Sequence, residues 1–93
     1  MVNKNILNIR KKLDKLDDSF IKLLKKRTLL VNQVLKNKKF KKDIVDKKRI
    51  SVILSNISKK SKKNKIDIKI TRSIWKSMIK AFIDYEYRNF KKK

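Results

Sequence analysis

The 93-residue sequence contains no cysteine, histidine, glycine or proline. Without cysteine and histidine, the chain has no disulfides, no Cys/His zinc sites, no thiol nucleophiles and no imidazole acid–base catalysis. Without glycine and proline, it lacks the residues that favour tight hairpin turns and phosphate-binding loops, which argues against β-sandwiches and Gly-rich nucleotide sites. The fold classes that remain are mostly helical. Any catalytic chemistry has to use arginine, lysine, carboxylates or hydroxyls.

Positive charge dominates what is present: 30 Lys and Arg stand against 8 Asp and Glu, a net charge of +22. A small basic protein attracts phosphate, so a nucleic-acid-binding dimer is one candidate function. However, 25 Lys, 13 Ile and 8 Asn make up 46 of the 93 residues, which indicates an AT-biased genome and explains the lysine excess without a ligand. Under such a bias each retained arginine is informative; the five are Arg10, Arg27, Arg49, Arg72 and Arg88.

The length fits a single domain spanning residues 1–93. The first five residues are mostly polar, and no apolar run approaches the roughly 18 residues of a membrane span. We therefore expect a cytoplasmic protein with no membrane partner.

Apolar residues recur at helical spacing and predict three helices and no sheet, at about 5–38, 46–62 and 67–91. Asp46 and Asp67 are suitable N-caps for the second and third helices. The Lys/Ser/Asn-rich segment 58–65 is interpreted as a frayed helix end followed by a loop. Because the first helix exceeds the usual 8–20 residues of a globular helix, a coiled-coil-like or dimeric arrangement is indicated.

Three cations lie at or near the apolar stripe of the first helix. Arg27 and Lys38 are eleven residues apart, so they point nearly the same way about 16 Å apart. Arg10 is too far from Arg27 for one ligand to touch both within a chain. In an antiparallel pair of long helices, however, Arg10 of one protomer falls between Arg27 and Lys38 of its partner, which makes two equivalent anion sites per dimer. The alternative is that Arg27 pairs with Asp17 or Asp18 of the other protomer while Lys38 extends to solvent.

Two further charged residues have open interpretations at this point. Glu86 is in line with Trp75 and Phe82 on the third helix, and Arg49 lies one turn past the Asp46 cap. Both could face the same cavity as the cations of the first helix. Alternatively, Glu86 is an edge residue paired to a lysine, and Arg49 is solvated or paired with Asp46.

The ordered set of motifs resembles the all-α (type II) chorismate mutases. The motifs are the segment from Ile9-Arg10 to Asp17, Leu23-Leu24-Lys25-Lys26-Arg27, Lys38 eleven residues later, and Val45-Asp46-Lys47-Lys48-Arg49. The resemblance covers nearly the whole chain. It implies an intertwined antiparallel homodimer of three-helix chains with two shared active sites, and the rearrangement of chorismate to prephenate in aromatic amino-acid biosynthesis.

The resemblance also implies roles for individual side chains. Arg10 from the partner chain, Arg27 and Arg49 correspond to the arginines that bind the substrate carboxylates. Lys38 corresponds to the lysine that contacts a carboxylate and the ether oxygen, and Glu86 to the third-helix Gln or Glu at that oxygen. Asp46 and Phe82 complete the expected substrate-binding set. The rearrangement is unimolecular and uses no metal, so no cofactor is expected.

The sequence departs from the family pattern at two positions. Ile50 replaces a glutamate that commonly follows the D-x-x-R arginine, and Phe82 replaces a small hydroxyl residue. The related isochorismate-pyruvate lyases share the fold and the Arg/Lys set, so lyase activity is an alternative, although Asp46 and the intact D-x-x-R motif favour the mutase. Nucleic-acid binding is not expected, because lysines occur on every segment rather than in one stripe.

Overall fold

The computed structural model describes residues 3–91, and this part of the chain contains helices and no strand. The all-α prediction with three long helices is therefore confirmed. The elements are α1 (Lys4–Lys36), a 3₁₀ turn (Lys41–Asp43), α2 (Lys47–Lys63) and α3 (Ile68–Asn89).

The first helix is 33 residues long, which corresponds to about 50 Å of helical rise. It begins after Asn3, whose side-chain oxygen accepts the Ile6 amide at 2.9 Å. It ends at Lys36, two residues before the predicted end. There the amides of Asn37 and Lys38 bond to carbonyls three residues back rather than four, which tightens and closes the last turn.

The connection from α1 to α2 contains the 3₁₀ turn, which the hydrophobic pattern did not predict. The Asp43 carboxylate accepts the Phe40 amide at 3.2 Å and so closes the turn. Ile44 follows it and is only 3% exposed. One buried isoleucine thus anchors a connection whose other apolar residues, Phe40 and Val45, are exposed.

The second helix starts as predicted, because Asp46 caps it by accepting the Arg49 amide at 3.0 Å. The predicted end near residue 62 is one residue from the observed end at Lys63, and only the expected fraying is wrong, since α2 is regular helix up to that residue. The physical reason is Ser61, which is 3% exposed and whose hydroxyl is 2.7 Å from that of Thr71 on α3. This tertiary contact stabilises a helical turn that looks solvated in the sequence.

The turn from α2 to α3 uses a left-handed residue although the chain has no glycine. Lys65 has φ 57°. The Ile66 amide bonds to the Ser61 carbonyl at 2.9 Å and the Lys65 amide to the Lys62 carbonyl at 3.2 Å, the pattern of a Schellman motif. The left-handed conformation costs a non-glycine residue about 1–2 kcal/mol, and these two hydrogen bonds offset that cost. Asp67 then caps α3 through the Lys69 amide.

The chain divides into two compact units, one up to Val31 and one from Asn32 onward. In the second unit, α2 packs against α3, and Leu35 and Ile44 are the buried apolar residues of its described part. The predicted apolar stripes of α2 and α3 are half-buried at Ile50, Ile53, Leu54, Ile57, Trp75, Met78, Ile79, Phe82 and Ile83. The assignment of all 93 residues to one domain stays a prediction.

The first unit consists of the N-terminal part of α1 and leaves its apolar side chains uncovered. The large ones are 38–65% exposed, and they are Ile6, Leu7, Ile9, Leu13, Leu16, Phe20, Ile21, Leu23, Leu24, Leu29 and Leu30. A stripe of this length without a covering surface is unusual for a monomeric protein. Within residues 3–91, no helix has the length and apolar character needed to cross a membrane.

Candidate active site

A part-buried ion pair joins Lys38, two residues after the end of α1, to Glu86 of α3. The Lys38 ammonium nitrogen (Nζ) lies 3.0 Å from Oε1 of Glu86, the only glutamate of the chain, and donates to the Ile44 carbonyl at 3.3 Å. Glu86 is 7% exposed. Removing two charges from water costs several kcal/mol per ion, and their attraction often does no more than balance this cost. The ion pair therefore need not stabilise the fold, and a functional role would explain its position.

A hydrogen bond from the sequence neighbour of Glu86 also links α1 to α3. The Tyr85 hydroxyl donates to the side-chain oxygen of Asn32 at 2.7 Å, which ties the last turns of α1 to α3 directly beside Glu86. Lys38 follows two residues after α1, close in sequence to the buried Leu35. The sequence analysis missed Asn32 and Tyr85. Asn32 and Gln33 are adjacent amides between Val31 and Val34, and nothing in the sequence pattern distinguishes the one that bonds to Tyr85.

Phe82 lies one helical turn before Glu86 on α3 and is half-buried. Its ring meets that of Tyr85 edge to face, with centroids 6.4 Å apart and planes at 81°. The position that carries a hydroxyl in the resemblance is therefore occupied by an aromatic ring, part of an aromatic pair next to the ion pair.

Asp46 and Arg49 lie together at the start of α2. The observed contact of the Asp46 carboxylate is the cap to the Arg49 amide, and the Arg49 side chain is exposed. Asp46 thus fixes the first turn of the helix from which Arg49 extends. Direct contact of either side chain with a substrate stays a prediction.

Arg10 and Arg27 belong to the first unit, Arg10 exposed and Arg27 half-buried. The structure thus brings Lys38 and Glu86 together, with Phe82 one turn away on the same helix as Glu86. The grouping of Arg10, Arg27 and Arg49 around them stays a prediction, as does the alternative pairing of Arg27 with Asp17 or Asp18.

The interpretation of Glu86 as an edge residue is wrong, because the side chain is buried, although a lysine does pair with it.

Comparison with known proteins agrees with the helical architecture and the motif order. The sequence model of the family described as chorismate mutase type II matches residues 9–87, most of the chain. No curated protein and no solved structure matches the chain. The matched range includes all of α2, nearly all of α3 and every residue that the sequence analysis places at the site. The chain is therefore an enzyme, an isomerase that belongs to the chorismate mutase type II family.

Proposed function

We propose that the protein rearranges chorismate to prephenate at a site centred on Lys38 and Glu86. The observation that carries the proposal is the part-buried contact of 3.0 Å between these side chains. The resemblance assigns both to the same ether oxygen of the substrate, and the fold brings them within hydrogen-bonding distance although they are 48 positions apart.

The reaction suits the residues that the chain possesses. A C–O bond breaks while a C–C bond forms in one substrate molecule, so no nucleophile, metal or cofactor takes part. Catalysis consists of holding the substrate in its reactive conformation and stabilising the negative charge that develops on the ether oxygen. Arginines suit the first task because they bind carboxylates through two parallel hydrogen bonds, and Lys38 suits the second as a compact point charge.

The proposal includes a homodimer in which the partner's Arg10 completes each site. The exposed apolar face of α1 supports it, because a second copy of the same helix would cover that face. Burying a large aliphatic side chain completely contributes about 1.5–3 kcal/mol, so each half-exposed residue on α1 would gain roughly half of that. The antiparallel arrangement rests on the spacing of Arg10, Arg27 and Lys38 in the sequence.

Product identification tests the proposal. The purified protein is incubated with chorismate and, in a separate sample, with isochorismate, and the products are separated by chromatography. We expect prephenate from chorismate, with Lys38→Ala protein prepared in the same way as the control. Release of pyruvate from isochorismate, with chorismate left unchanged, would instead assign the site to the lyase reaction.

Glu86→Gln tests whether the third-helix side chain acts as a hydrogen-bond donor to the ether oxygen. The amide of the variant supplies an N–H donor at this position, so turnover should be retained. Glu86→Ala, which has no donor, is the matched control and should lose about 10²–10³-fold in turnover. The measurement is kcat for chorismate in both variants. Equal losses in Glu86→Gln and Glu86→Ala would contradict this role.

A further inference from the structure

A second group of cations lies between α2 and α3, away from Lys38 and Glu86. Arg72, the fifth residue of α3, lines a cavity of about 470 Å³ together with Lys59 and Lys62 of α2. Arg72 is fourteen residues before Glu86 on the same helix, which corresponds to about 21 Å of helical rise. It is also one of the five arginines, and the proposed mutase site does not use it.

Hydroxyl groups and hydrogen bonds organise this cavity. Ser51, Ser55 and Ser58 line it along one side of α2. The Ser58 hydroxyl donates to the Leu54 carbonyl at 3.1 Å and accepts from Nη1 of Arg72 at 3.1 Å, so the half-buried guanidinium is held in a defined position. This contact uses one of the several N–H donors of the arginine.

A hydrogen bond between α2 and α3 lies next in sequence to these residues. Ser61 of α2 and Thr71 of α3 share a hydrogen bond of 2.7 Å, and Ser61 is buried. Each of them is a sequence neighbour of a cavity-lining cation, Lys62 and Arg72 respectively. The two helices therefore present their cations from a locked interface rather than from a flexible loop.

The charge of the lining distinguishes this cavity from a similar one in the same unit. A cavity of about 480 Å³ at the start of α2 is lined by three lysines, but also by the carboxylates of Asp43 and Asp46. The cavity between α2 and α3 has three cations and no carboxylate among its lining residues. Lysine is so common in this chain that lysines at a cavity are unremarkable. A positioned arginine with serine hydroxyls and without a compensating acid is a more specific combination.

We propose that this cavity binds the phosphate group of a small phosphorylated molecule. Three cations favour a doubly charged anion, and a tetrahedral group offers enough oxygens to accept from Arg72, a lysine and a serine hydroxyl together. The groove of about 470 Å³ has room for an organic part beside the phosphate. The site is separate from the proposed mutase chemistry and does not depend on it.

The test is a titration of the full-length protein followed by ¹⁵N NMR, with inorganic phosphate and phenyl phosphate as the probes. Chloride keeps the ionic strength constant. We expect saturable shifts of the Ser55, Ser58 and Arg72 amides with both probes, and tighter binding of phenyl phosphate. Arg72→Gln should weaken binding about tenfold or more, since a hydrogen bond to a charged group contributes about 1.5–3 kcal/mol.

Two further variants make the result decisive. Lys59→Gln/Lys62→Gln changes only exposed side chains and should weaken phosphate binding without affecting the fold, even if Arg72→Gln proves unstable. Lys47→Gln/Lys48→Gln removes the same charge from the mixed cavity and should leave the affinity within about twofold of wild type. Unsaturable shifts, or equal weakening in both lysine pairs, would overturn the proposal. So would shifts of these amides by a short DNA duplex but not by phosphate.

Discussion

Replacing Lys38 with alanine should lower the turnover of chorismate about 10²–10³-fold, the usual loss when one donor to a developing oxyanion is removed. The ammonium of Lys38 lies 3.0 Å from Glu86 and is part-buried, which strengthens its interaction with a developing negative charge. The measurement is kcat at saturating chorismate. The matched control is Lys39→Ala, which removes the same charge from the next, exposed residue and should keep kcat within about twofold of wild type.

Loss of folding has to be separated from loss of catalysis in Lys38→Ala. The variant leaves the buried Glu86 carboxylate without its lysine, which should lower the free energy of unfolding by about 1–3 kcal/mol. Adding Glu86→Gln removes the unpaired charge. The double variant should therefore regain part of the thermal stability, measured by circular dichroism, but not the turnover. Wild-type turnover in a folded Lys38→Ala enzyme would contradict a catalytic role for Lys38.

Mixing two inactive variants should restore about a quarter of the active sites if each site is shared between protomers. Arg10→Ala and Arg27→Ala are each expected to be nearly inactive, because one carboxylate clamp is missing from every site. After unfolding and joint refolding at equal concentrations, about half of the dimers are mixed. In a mixed dimer one site combines the intact Arg27 of one chain with the intact Arg10 of the other, while the second site lacks both.

Two further mixtures of variants serve as controls, one expected to recover activity and one expected not to. Arg10→Ala refolded with Lys38→Ala should also recover activity, since those two side chains come from different protomers. Arg27→Ala refolded with Lys38→Ala should not recover, because both side chains belong to the same chain's half of a site. Mass spectrometry of the intact dimers establishes that mixed dimers have formed. Mixed Arg10→Ala/Arg27→Ala dimers without activity would contradict the shared site.

Periodicity and capping residues were sufficient to predict the three helices. Asp46 and Asp67 cap α2 and α3 as expected from their side-chain chemistry. Where the prediction was incomplete, a distant contact is involved. Ser61 bonds to Thr71 in a helix end that was expected to fray, and Ile44 becomes buried in a connection with no repeating pattern. Hydrophobic spacing within a segment carries no information about such partners.

In the candidate site, too, residues that stand out within one helix were predicted, and contacts between helices were not. Lys38 and Glu86 were identified individually, because each is a charged residue in line with an apolar stripe. Tyr85 and Asn32 were missed, because their hydrogen bond depends on how α1 and α3 meet rather than on either helix alone. The role of Arg72 was equally hidden, since only the fold shows that it shares a cavity with Lys59 and Lys62.

The uncovered apolar face of α1 has a consequence for the chain in the cell. A newly synthesised copy presents leucine, isoleucine and phenylalanine side chains to solvent along more than twenty residues. Chaperones and proteases act on surfaces of this kind, and aggregation competes for them. If a second copy covers the face, as proposed above, low expression should reduce the lifetime of each chain as well as the number of chains.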